Sequence, residues 1–104
     1  MIEVRRGDTA VIYIALFVDN AAYSPAEGEH VVFTVKEKTN ADGTPPLIQH
    51  DVVDNLVHLT HEDTKDLACG MYPCDVRVYN DAKTLVYTPL LDTLKVCEVV
   101  NCDI

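Results

Sequence analysis

The chain is predicted to fold as an all-β sandwich of seven to eight mostly antiparallel strands, with one short helical turn near residues 61–68. Three observations predict it. Short apolar runs rich in Val, Thr and Tyr are broken every 8–12 residues or so by Gly, Pro, Asn and Asp, the rhythm of sandwiches and barrels. Several of these runs alternate with a period of two, and no long stretch repeats with helical periodicity. At 104 residues the chain has the size of one domain with one core, residues 1–104.

Residues 2–4 open the fold as a short edge strand, followed by the turn-like Arg6-Gly7-Asp8. Residues 10–18 read as a strand that is apolar on both faces. Val11, Tyr13, Ala15 and Phe17 fall on one side, and Ile12, Ile14, Leu16 and Val18 on the other. A sandwich strand needs only one apolar face. The second therefore needs a cover, supplied either by other parts of the chain or by another molecule, and Ile12, Ile14, Leu16 and Val18 are the candidate assembly face.

Residues 19–28, with Asn20, Ser24, Pro25 and Gly28, form a loop by their turn chemistry. Residues 30–38 alternate cleanly, with Val31, Phe33 and Val35 inward, and end in the turn residues of 39–46. Residues 47–53 and 56–59, separated by Asp54-Asn55, look like a hairpin. Thr60 then caps a turn of helix carrying Glu62 and Asp63 in its first turn, ended by Gly70. That turn, packed by Leu67, carries the chain from one sheet to the other. Residues 72–79 form a core strand with Tyr72, Cys74, Val76 and Val78 inward. After a turn at 80–83, residues 84–91 and 94–100 complete the sheet, with a bend or bulge at Pro89 and Asp92.

The balance of 17 acidic and 8 basic residues, net charge −9, produces a field that repels phosphate backbones and anionic headgroups. Nucleic acid and membrane surfaces are thereby excluded as expected partners. The longest apolar stretch, the nine residues 10–18, reaches less than half of the roughly 20 that a spanning helix needs. Residues 1–6 lack the apolar core and cleavage site of a signal peptide, so synthesis and folding in the cytoplasm are expected.

Arg6-Gly7-Asp8-Thr9 after a short first strand, Val32-Phe33-Thr34-Val35-Lys36, and the segment from Gly70-Met71-Tyr72-Pro73 through Val78-Tyr79 form a pattern over nearly the whole chain. It resembles the immunoglobulin-like β-sandwich domain at the N-terminus of bacteriophage upper-baseplate and related tail proteins. The resemblance implies a non-enzymatic structural or docking role in a phage or prophage particle. Its expected partners are other virion proteins or copies of itself as a homo-oligomer, in the virion or in the host cytoplasm during assembly. It implies no catalytic residue and no cofactor. Cys74 departs from it, standing where a Tyr is usual.

Other chemistry is weaker. Cys69-x4-Cys74 and Cys97-x4-Cys102 supply four thiols, but structural zinc sites mostly use Cys-x2-Cys knuckles, so free thiols are the default over disulfides or a metal. Arg6-Gly7-Asp8 spells the integrin-binding tripeptide, yet a chain leaving an edge strand needs a Gly there for its turn. His50, His58 and His61 are expected at surface or capping positions without convergence. The glycines lie far apart and build no phosphate loop, and the acidic residues scatter as a solvated face does. A carbohydrate- or ligand-binding sandwich is the alternative function, with only Tyr23, Tyr79 and Tyr87 to serve it.

Overall fold

The computed structural model describes residues 1–18, 21–22, 27–37, 45–80 and 85–98. Among them are nine strands and one helical turn: β1 (Ile2–Arg5), β2 (Ala10–Tyr13), β3 (Phe17–Val18), β4 (Ala21–Ala22), β5 (His30–Val35), β6 (Ile48–Asp51), β7 (Leu56–Leu59), α1 (His61–Thr64), β8 (Gly70–Tyr79) and β9 (Leu85–Cys97). A curled, mixed five-stranded sheet runs in the order β1-β9-β8-β5-β6, and two-stranded sheets form from β2-β7 and β3-β4. The protein is thus mostly β. The β1–β9 pairing is parallel and the other strand pairings are antiparallel.

Period-two burial places the core. Val31, Phe33 and Val35 from β5 turn to one face of the large sheet, joined by Cys74, Val76 and Val78 from β8, Leu94 and Val96 from β9, Val4 from β1 and Ile48 from β6. Val57 and Leu59 of β7, with Ile14 and Leu16, complete the same cluster. Each large side chain removed from water here contributes about 1.5–3 kcal/mol of transfer free energy. The β8–β9 ladder is the longest, and its register slips between Val76 and Val78 and again between Val78 and Tyr79. Val76 faces Leu90 while Val78 faces Tyr87, so the first extra residue lies in the stretch of β9 that contains Pro89. A proline donates no ladder hydrogen bond, which suits a bulge.

Several expectations are corrected. Residues 10–18 are two short strands and not one, because the chain turns from its pairing with β7 to a separate pairing of Phe17 and Val18 with Ala22 and Ala21. Residues 85–97 form one strand in place of the expected two, and Asp92 pairs in register with Cys74 without interrupting it. Ala21–Ala22, inside the loop expected at 19–28, form β4 and bring the strand count among the described residues to nine. Residues 47–59 do turn tightly at Asp54-Asn55, both at positive φ, 53° and 63°, as the primed two-residue turn demands. Only Val53 and Leu56 bridge across it, however. Beyond that bridge β6 joins β5 while β7 joins β2, so the turn is a crossover between sheets.

Helix α1 is one turn, shorter than 61–68. Thr60 has extended backbone and accepts a bond from Asp63 N, while the Asp63 carboxylate accepts from Thr60 N at 2.7 Å, a reciprocal capping box. Gly70 opens β8 and does not terminate the helix. The expected passage between sheets is present, with β7 in the small sheet, β8 in the large one, and Leu67 packed against the core.

Candidate docking surface and polar clusters

On β2 the parity of the ladder decides which apolar row is covered. Ala10 opposes Leu59 and Ile12 opposes Val57, both core residues, so the even-numbered side chains turn inward. The same sense continues through Ile14, whose N–H donates to Asn55 O at 2.7 Å, to Leu16. Ile14 and Leu16 are only 2% and 4% exposed and Ile12 is half-buried. The Val18 side chain lies outside those described. Ile14 and Leu16 of the candidate assembly row are therefore core, covered by the chain's own β7 and large sheet, with Ile12 half-buried beside them.

The opposite row is the uncovered one. Val11 is 61% exposed, Tyr13 67% and Phe17 57%, with Ala15 also exposed. Across the ladder Val11 faces His58 and Tyr13 faces Leu56, which in turn bridges to Val53, 63% exposed. One outer face of the small sheet thus carries Val11, Tyr13, Leu56 and Val53, with Phe17 farther along the chain. Isolated apolar side chains at a surface are ordinary; here several share one face.

Arg6-Gly7-Asp8 is a turn held by α1. Gly7 N donates to Thr64 Oγ1 at 2.9 Å, that hydroxyl donates to Asp8 O at 3.1 Å, and the His61 ring bonds Gly7 O through Nδ1. Thr64 is fully buried by this arrangement. Gly7 has φ 86°, a backbone region that suits glycine, and an added Cβ would meet the His61 ring only at ordinary contact distance. Arg6 forks onto Glu98 Oε1 through Nε at 3.1 Å and Nη2 at 2.7 Å. The tripeptide has a structural role in this fold.

His50, His58 and His61 do not converge. His61 serves the Gly7 turn, His58 lies exposed on β7, and His50 Nε2 meets Asp63 Oδ2 at 2.7 Å. The His50–Asp63 contact was not foreseen; it links β6 to the capping box 13 residues on. Burial opposes the charge on Asp63, but the Thr60 N–H, the His50 ring and the Thr60 hydroxyl outweigh it and hold the carboxyl below its usual range. Thr60 Oγ1 bonds Asp63 at 3.1 Å. In a catalytic triad the hydroxyl would face the imidazole, so this cluster reads as a brace between sheet and helix.

Cys74 is buried, and desolvation pushes its thiol up to about 11. Cys69 is exposed and bonds Glu98 Oε2 at 3.2 Å, Cys97 is half-buried, and Cys102 lies outside the described residues. Among the described residues no three Cys, His, Asp or Glu side chains gather as a metal site would require. Of the aromatics considered for ligand binding, Tyr79 is half-buried with the Arg77 guanidinium 5.8 Å from its ring centre. Tyr23 and the Tyr87 side chain lie outside those described. No helix among the described residues is long and apolar enough to cross a membrane. Comparison with protein-family models, curated proteins and solved structures finds no significant match.

Proposed function

We propose that this domain is a non-enzymatic assembly module with an immunoglobulin-like sandwich architecture, docking by its small sheet onto another protein of a phage or prophage particle or onto a copy of itself. The observation that carries the docking is the exposed row Val11, Tyr13 and Phe17, extended by Val53. An apolar face of this kind gains free energy whenever a partner removes it from water, at about 25 cal/mol per Å². The particle setting rests on the likeness of the Arg6-to-Thr9, Val32-to-Lys36 and Gly70-to-Tyr79 segments to tail-protein domains.

The setting is tested by the genes that flank the coding sequence. Tail or capsid genes on both sides are expected, and a metabolic operon would remove the particle reading. The docking is tested by sedimentation of the protein alone and with the products of those genes. Association that disappears in a Val11→Ser, Tyr13→Ser variant is expected; binding unaffected by those changes would place the contact elsewhere.

A further inference from the structure

Two of the cysteines meet in a way that their spacing along the chain conceals. The antiparallel β8–β9 ladder pairs Gly70 with Val96 and Met71 with Lys95. Cys69 immediately precedes Gly70, where this ladder begins, and Cys97 immediately follows Val96, the partner of Gly70. Carrying the pairing one step beyond the ladder would bring their Cα atoms to about 4.5–5.5 Å, inside the roughly 4.4–6.8 Å that a disulfide spans. Val96 is core, so Cys97 turns to the outer face with Lys95.

Side-chain geometry agrees. Cys69 Sγ donates to Glu98 Oε2 at 3.2 Å, so the thiol already reaches the residue next to Cys97. Glu98 is anchored on its other oxygen by Arg6, and Cys97 O accepts from Arg6 N at 2.9 Å, so the β9 end that carries Cys97 is fixed. Cys97 lines an open hollow of about 290 Å³ shared with Glu3, Arg5 and Asp8, and Cys69 is exposed.

We propose that Cys69 and Cys97 form a reversible intramolecular disulfide by exchange with a low-molecular-weight disulfide such as oxidised glutathione. One protein thiolate attacks a glutathione sulfur, making a mixed disulfide and releasing one glutathione thiolate. The second protein thiolate attacks the protein sulfur of that mixed disulfide and releases the other. Two protein thiols lose two electrons and two protons, and one oxidised glutathione becomes two reduced ones. The product staples the start of β8 to the end of β9, beside the turn that α1 holds. The Glu98 hydrogen bond, with burial and the Glu98 charge, raises the Cys69 pKa, so exchange accelerates as the medium becomes alkaline.

The test is native incubation of the purified protein with oxidised glutathione, alkylation of remaining thiols, and peptide mapping without reduction. One Cys69–Cys97 cross-link is expected, with the mass of two hydrogens lost, in a monomeric band. A melting-temperature rise of about 5 °C or more, reversed by dithiothreitol, should accompany it. Cys74→Ser and Cys102→Ser should keep the cross-link, and Cys69→Ser should lose it. A bond from Cys69 to Cys74 or Cys102, a bond only between two chains, an unresolved glutathione adduct or two thiols left free would each overturn the proposal.

Discussion

At the scale of single residues, the chain joins turn to sheet through a few polar side chains. Asp63 accepts from Thr60 N and meets the His50 ring, and its carboxyl pKa is depressed in the fold. A depressed carboxyl contributes stability that is complete above its unfolded value, near pH 4, and is lost as pH falls through the folded one. Urea unfolding followed between about pH 5 and pH 2 should therefore show a loss that Asp63→Asn flattens. Thr60→Ala should cost about 1 kcal/mol at neutral pH. The cap was legible because Thr60 and Asp63 are three residues apart and their chemistry is local. The His50 contact was not, since it depends on where β6 lies. Cys74 is a second residue-scale case. With its pKa near 11 the thiol stays protonated at pH 8, so a thiol alkylator should modify exposed Cys69 and spare Cys74 until the protein is unfolded. Rapid native modification of Cys74 would contradict its core position.

At the scale of elements, local signals located the turns, and only the assembled sheet decided which strands they join. Asp54-Asn55 reads as a tight turn because both residue types tolerate positive φ, and it is one. The strand after this turn leaves for the other sheet, since Val57 and Leu59 find Ile12 and Ala10 as ladder partners. Asn55 also offers its carbonyl to Ile14 N, so the turn holds the chain between β2 and β3. Asn55→Gly should therefore be neutral or slightly stabilising, whereas Asn55→Val, forcing a β-branched residue to positive φ, should cost about 1–2 kcal/mol. Equilibrium denaturation of the pair measures both. The alternation in β5 and β8 was legible outright, because each strand has one apolar face and one mixed face. The parity of residues 10–18 was not, as both rows are apolar and period two alone cannot rank them.

At the scale of the whole molecule, that ambiguity separates the core row from the exposed row, and substitution can read it directly. Ile14→Ala removes a buried side chain from the cluster and should destabilise the protein by about 2–5 kcal/mol. Tyr13→Ser and Phe17→Ser alter exposed positions and should change stability by no more than about 0.5 kcal/mol, while weakening association. Charge then distinguishes the partner. Each copy carries −9, so two copies repel at long range, and the repulsion is screened over about 8 Å at 0.15 M salt. Added salt should strengthen self-association through the Tyr13 face. A basic partner should instead be attracted by that net charge and released as salt rises. Sedimentation of the protein alone and of any complex, across a salt series, therefore assigns the sign of what the face meets. A contact indifferent both to salt and to Tyr13→Ser would not be made by this surface.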